Sequence, residues 1–349
     1  MKISLLVTVL VIYTAVTPSL FSAPTSENNR RLQQTLQQYP AADANHDGIL
    51  TVAEARAYRD QKKQGTSGEG DIGRPGRAFG PTTVSGEAST GGEVKGRYGL
   101  YMGHSFFKPA ALGLLDVIPD TKIIDHTGCF VFAGGQNGSP KILWGNSTSK
   151  EAGQKFLQSG KIELLVMTCY ADRGGSIDEY SSVEHYSQWF DDALLHNPKV
   201  EFMIALPWEK FQSKATEKDL GEKEENVTLF YEHIIQKLRK KYPKNKIIFC
   251  PYGLGVYELV RRFHRGELPG VKSMVNPKTK ANDQLFLDRQ GHGGALISHL
   301  NTLVWLQTIY NYDIADLKPQ RVEGLPNIDL NEIAAKVYNK VVPFNKGVW

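Results

Sequence analysis

Cysteine is scarce in this chain: 349 residues contain three, Cys129, Cys169 and Cys250. The number is odd, no two form a C-x-x-C pair, and they are widely spread. A disulfide-stapled scaffold and a cysteine-held zinc site are both excluded. An excess of one charge is missing too, because 41 Lys+Arg against 37 Asp+Glu leave only +4. Nucleic acid needs a concentrated basic face, so it is not an expected partner. Beyond the N-terminus no apolar run is long enough to span a bilayer. What is present is ordinary for a globular protein. Hydrophobic residues at 41% and charged residues at 22% exclude wholesale disorder.

The first residues differ from the rest. Lys2 precedes a run from Ile3 to Val16 broken only by Ser4, Thr8 and Thr14, and Pro18, Ser22 and Ala23 follow. A charged start, a short apolar stretch and a small-residue exit describe a secretory signal peptide over residues 1–22. The run falls short of the ~20 residues that cross a membrane, which disfavours an uncleaved anchor. The expectation is export, secreted or periplasmic, with no stable membrane insertion after cleavage. Asn146-Ser147-Thr148 and Asn226-Val227-Thr228 are glycan-acceptor patterns, relevant in a eukaryotic secretory pathway.

Residues 43–54 read DANHDGILTVAE. Asp43, Asn45 and Asp47 take positions 1, 3 and 5 of a twelve-residue loop, Gly48 takes 6 and Glu54 takes 12. Short oxygen side chains on alternating residues can converge on one hard cation while Gly48 makes the sharp turn. Ile49 would give its carbonyl, Thr51 would reach the ion directly or through water, and Glu54 would ligate with both oxygens. The plain alternative is a polar turn before a helix. Residues 31–39 and 52–61 can each form a helix. The loop resembles the EF-hand family and the half-repeats of dockerins, which implies one calcium ion in an EF-hand-like segment over residues 30–62. Both families usually pair such loops, and one is found here. Residues 63–96 are rich in glycine and serine and read as a flexible linker.

The remainder, residues 97–349, alternates in character. Strand-like runs at 98–102, 122–125, 162–168, 200–206 and 246–250 alternate with helical patterns at 183–194, 227–241, 257–264, 295–310 and 329–341. Asp329 and Glu332 are spaced as a capping box. The basic run 237–241 reads as a solvated helix end. Alternation of this kind predicts an α/β fold: a parallel sheet with helices on both faces, three layers in all. Such sheets place their sites beyond the carboxyl ends of the strands.

That rule points to Gly103-His104-Ser105-Phe106-Phe107, just after the first strand. A serine at a strand-to-helix turn projects its hydroxyl from the sheet, although Ser is also a common helix N-cap. As a nucleophile it needs a base, and the base needs an orienting acid. Asp288 and His292 lie four apart in one loop before a long apolar helix. Gly134-Gly135-Gln136-Asn137-Gly138 offers bare backbone amides for an oxyanion hole. His126 beside Asp125 is a rival pair that reads as structural, and Cys169 lacks a thiolate-stabilising neighbour. Trp144, Tyr170 and Trp208 fall near strand ends or loops, where they could stack on a sugar or pack in the core.

The ordered set of blocks resembles the SGNH (GDSL-like) hydrolase family over residues 97–312. The resemblance implies an SGNH-hydrolase or flavodoxin-like sheet, with Ser105 as nucleophile, His292 as base and Asp288 as its orienter. It implies amides of Ser105 and of Gly134 or Gly135 as oxyanion donors, and no cofactor for the chemistry. His104 stands where the family usually has Asp, Asp288 and His292 are separated by three residues rather than two, and Cys169-Tyr170-Ala171-Asp172 replaces the family's Asn. Two readings follow. One is an exported serine esterase acting on a small-molecule or carbohydrate ester; the other is a non-catalytic surface or glycan-binding protein on a degenerate SGNH fold.

Overall fold

A computed structural model describes residues 40–51, 76–87, 92–169, 177–209, 216–275, 282–318 and 328–348. It also describes residues 25–27, 32–33, 36–37, 54–55, 58, 322 and 325. The expected signal peptide, residues 1–22, lies outside the described residues. The chain divides into two compact units, Met1–Glu69 and Gly70–Trp349.

In the larger unit, Tyr98–Gly103 (β3) is a central strand flanked by His126–Phe132 (β5) and Leu164–Thr168 (β6). Glu201–Ala205 (β7) and Ile247–Cys250 (β8) extend the sheet beyond β6, and all five strands are parallel. Counted along the chain their order is 2-1-3-4-5, a doubly wound arrangement that reverses direction at β3. The runs LLVMT and IIFC are buried at every position, as parallel strands covered on both faces must be. An α/β fold with a mostly parallel central sheet and helices around it is therefore established.

Two expectations about strands are corrected. The run at 122–125 supplies only Ile123–Ile124 (β4), which pairs with Val94–Lys95 (β2) outside the main sheet. Asp125 then turns the chain at φ 58 into β5, a central strand that the sequence reading missed. The expected linker over 63–96 is corrected from Arg77 onward, where strands form, while residues 63–75 lie outside the described residues. Arg77–Val84 (β1) forms the antiparallel edge strand against β5, from Arg77↔Phe132 to Val84↔His126. Phe79 stacks on Phe130 at 4.9 Å, and Thr83 meets Thr127 through their hydroxyls at 2.8 Å. The amides of Gly86 and Gly96 each donate to β4 carbonyls at 2.6 Å. Ladder pairing and an aromatic stack hold this segment, despite its glycine content.

The helices gather in two groups. Ala295–Tyr310 (α9) packs against Lys108–Val117 (α1), which has Pro109 in its first turn, and against Gly253–His264 (α8) and Leu330–Val341 (α10). Pro140–Gly145 (α2), Ser147–Leu157 (α3), Ile177–Ser181 (α4) and Val183–His196 (α5) form the other group. Helix α9 is apolar nearly all round and almost wholly buried, which fits a central helix rather than a surface one. Helix α5 begins at a Ser182–His185 capping box and stops before Pro198. The Asp329–Glu332 box closes by half. Asp329 accepts the Glu332 amide at 3.0 Å, but the Glu332 carboxylate is drawn 3.1 Å from Arg262.

The basic run is not simply solvated. Glu217–Phe230 (α6), a π turn over Tyr231–Ile235 and Gln236–Lys241 (α7) form one continuous rod. From it Arg239 donates to the carbonyls of Ile247 and Phe344, to Tyr231 Oη and to Asn345 Oδ1. It ties the C-terminal segment to β8. Asn146 is buried and caps α3 by accepting the Ser149 amide at 2.9 Å. No helix among the described residues is long and apolar enough to cross a membrane.

In the smaller unit Leu32, Ala42 and Leu50 form a compact core with Leu36, Ala55 and Tyr58 against it. Thr25 and Thr51 form an antiparallel bridge, and Ser26 exchanges hydrogen bonds with the Leu50 backbone.

Candidate active site and cation loop

Ser105 follows β3 at the point where strand order reverses, with its neighbours β5 and β6 ending on either side. The turn is built on His104, whose carbonyl accepts the amides of Phe107 and Lys108. Ser105 is not the cap of α1. That position belongs to Phe107, and no side chain caps the helix. The hydroxyl of Ser105 is therefore left for another partner.

His104 locks the turn to the next strand. Its Nδ1 accepts the Phe106 amide at 3.2 Å, and its Nε2 lies 3.1 Å from the Cys169 carbonyl. An acceptor carbonyl on one side and a donor amide on the other fix the neutral Nε2–H tautomer. Burial pushes its pKa down to about 4, and the nearby His292 acts in the same sense against the Cys169 hydrogen bond. His104, just before the serine, is thus a neutral brace.

The base arrives from the other end of the unit. Gln284–Phe286 (β10) pairs with Ser273–Val275 (β9), and the chain then closes on itself. Leu287 donates to the His292 carbonyl at 2.8 Å, and Gly294 donates to that of Leu285 at 2.7 Å. Within this clasp Asp288 Oδ1 accepts the amides of Gln290, Gly291 and His292 at 2.9, 3.0 and 3.2 Å. Gly291 makes the turn at φ 93, where a side chain would be strained. With Oδ1 occupied, Oδ2 faces His292 Nδ1 at 2.6 Å, and His292 Nε2 lies 2.8 Å from Ser105 Oγ. The turn over the three residues between Asp288 and His292 brings the two side chains together. A carboxylate at Nδ1 keeps the proton there, so Nε2 is free to accept from the Ser105 hydroxyl. Burial raises the Asp288 pKa. The hydrogen bonds from the His292 side chain and amide, its charge and the Gln290 amide outweigh this and hold the carboxyl below its ordinary range.

Gly134 and Gly135 sit beside this turn because their loop is anchored on it. Ala133 donates to the Gly103 carbonyl at 3.0 Å, and a Cβ on Gly138 would lie 2.5 Å from Gly103 and His104 backbone atoms. Only glycine allows that approach. A Cβ on Gly134 or Gly135 would meet nothing within 4 Å, so the space above their backbones is open. Gly134 has φ −78 and ψ 138, which any residue adopts. Tyr170, Ala171 and Asp172 lie outside the described residues.

The rival groups separate. His126 is buried and meets Tyr310 Oη at 2.6 Å, while Asp125 turns away to Ser85. Cys169 is buried and its thiol is pushed well above its ordinary value by desolvation, which makes it inert as a nucleophile. Trp208 is 2% exposed and cannot stack on a sugar. Trp144 is half-buried, edge-on to Trp189 at 5.0 Å with the Lys150 ammonium 4.0 Å above its ring. What the sequence reading missed is the part played by Trp208 and Phe106, whose rings join the serine turn to the histidine loop. The one available signal was an aromatic adjoining Ser105.

In the smaller unit the loop over 43–54 is tightly wound. Asp43 Oδ2 accepts the Gly48 amide at 2.8 Å, and Asp47 Oδ1 accepts that of Ile49 at 2.8 Å. Asn45 and Asp47 bond to each other. Asp43 Oδ1 is buried and has no partner among the described residues. A hard-oxygen donor set with an orphaned carboxylate oxygen fits a hard divalent cation. Glu54 is the exception. Its carboxylate accepts the Thr51 hydroxyl at 2.7 Å and the Thr51 amide at 3.0 Å, and those bonds lower its pKa. Among the described residues no three Asp, Glu, His or Cys side chains converge at metal distance.

No protein-family model, no curated protein and no solved structure matches the chain.

Proposed function

We propose that the larger unit is a serine hydrolase of carboxylic esters, built on an SGNH-like version of the α/β fold. The observation that carries this reading is the continuous hydrogen-bonded line Ser105–His292–Asp288, with steps of 2.8 and 2.6 Å. Ser105 Oγ attacks the ester carbonyl as His292 Nε2 takes its proton, and the carbonyl π bond opens onto the oxygen. The amides of Ser105 and of Gly134 or Gly135 receive that oxyanion. His292 then protonates the departing alcohol, and water repeats the sequence to release the acid and restore Ser105. Asp288 stays ionised and steadies the imidazolium. The resemblance to exported SGNH enzymes suggests acyl groups on carbohydrates as substrates, and the leader-like residues 1–22 suggest action outside the cytoplasm.

An active-site-directed fluorophosphonate tests the reading. Wild type is expected to be labelled at Ser105 and Ser105→Ala to remain unlabelled. A wild type that resists labelling would leave the non-catalytic binding reading in its place.

The smaller unit is proposed to hold one calcium ion in an EF-hand-like loop through Asp43, Asn45, Asp47, Thr51, Glu54 and the Ile49 carbonyl. The unpartnered Asp43 oxygen supports this. Glu54 would exchange its bonds to Thr51 for the ion. Calorimetric titration of the full chain should give one site in the range of extracellular modules, about 0.1–1 mM. Glu54→Gln should weaken it at least roughly tenfold. Absence of heat at such concentrations refutes the assignment.

A further inference from the structure

The serine turn and the histidine loop are 187 residues apart in sequence, and two aromatic side chains join them in space. Trp208, just beyond β7, donates its indole N–H to the Gly291 carbonyl at 2.9 Å. Its ring lies flat on Phe106, with centroids 4.8 Å apart and planes at 9°. Phe106 adjoins Ser105 and meets the His292 ring edge-on at 5.1 Å. Tyr252 supports Trp208 from the side at 5.9 Å.

We propose that Trp208 is a positioning residue for His292. The Gly291 carbonyl belongs to the same planar peptide unit as the His292 nitrogen. Fixing that oxygen fixes the plane from which the base projects. The loop is also held by its own closure and by Asp288, whose side chain is 42% exposed, whereas Trp208 is a buried anchor outside the loop. An indole N–H can only donate, and leaving it unpartnered when buried costs free energy, so the bond to Gly291 holds the ring and the loop together. The stack on Phe106 then sets the spacing between base and nucleophile. Misplacing a reacting group by an ångström costs about a hundredfold in rate, and losing one of several restraints costs less.

This inference rests on the serine-hydrolase reading, and its test separates the two. β-(3-Benzothienyl)alanine placed at 208 keeps the bicyclic shape and lacks the N–H; Trp208→Phe is the genetic counterpart. Both are expected to lower kcat roughly tenfold with KM unchanged, and to slow fluorophosphonate labelling by the same factor. The benzothienyl variant should melt within a few degrees of wild type. A second readout is independent of turnover. The downfield NMR signal of the proton between His292 Nδ1 and Asp288 should broaden or move in both variants. Wild-type kcat together with an unshifted signal would overturn the positioning role. A wild type that neither labels nor hydrolyses, while this signal still moves on substitution, would overturn the hydrolase reading and leave the Trp208 anchor standing.

Discussion

Ser105→Ala and His292→Ala are each expected to lower kcat for a short-chain aryl ester by at least about a thousandfold, because nucleophile and base act as a unit. Asp288→Asn should be nearly as damaging, on the order of 10³–10⁴. The reason lies in the loop. Three backbone amides point at Asp288 Oδ1, so an asparagine must place its carbonyl oxygen there. Its NH2 then faces His292 Nδ1. A donor at Nδ1 forces the proton onto Nε2, and the imidazole can no longer accept from Ser105. Initial rates from pH 5 to 9 check this. Asp288, held below the ordinary carboxylate range, contributes no limb there. Asp288→Asn should stay low at every pH. Full activity in His292→Ala, or an Asp288→Asn variant that recovers at high pH, would dismantle the triad.

The parts legible from sequence were those whose chemistry is local. Buried parallel strands announce themselves as unbroken apolar runs, so β6, β7 and β8 could be read directly. The serine after β3 and the Asp288–His292 loop stood out because strand-to-helix turns place polar groups beyond the sheet. What could not be read depended on distant contacts. Strand β5 follows β4 after a single residue, and the turn between them is made by Asp125 at φ 58, where no glycine marks it. Strand β1 is exposed at nearly every position, so it has no burial pattern. Only its pairing with β5 makes it a strand. The Asp288–His292 spacing looked one residue too long until the three amides on Oδ1 defined where Oδ2 must point. An aromatic such as Trp208 carries no sequence mark of an acceptor 83 residues away.

Acid should weaken the larger unit well before its carboxylates titrate, because two histidines are buried neutral. His104 is braced between Cys169 and Phe106. His126 Nδ1 lies 2.6 Å from Tyr310 Oη and Nε2 lies 3.5 Å from Tyr101 Oη. Desolvation pushes both pKa values down to about 4, against about 6.5 for a free imidazole. Between those values the unfolded chain binds protons that the native state refuses, so stability rises with pH. The contribution is complete above about 6.5 and is lost progressively as pH falls towards 4. At about 1.36 kcal/mol per pH unit, each imidazole accounts for about 3 kcal/mol across the window. All five tryptophans lie beyond Gly70, so urea unfolding followed by tryptophan fluorescence reports on this unit alone. Between pH 7.5 and 5 the unfolding free energy should fall by about 3–4 kcal/mol, since the window is then roughly three-fifths crossed at both sites. His126→Gln keeps a hydrogen-bonding group between the two tyrosines at the end of β3 opposite Ser105. It should be less stable at pH 7.5 and lose about half of the pH dependence. An unchanged slope in His126→Gln would show that the acid sensitivity arises elsewhere.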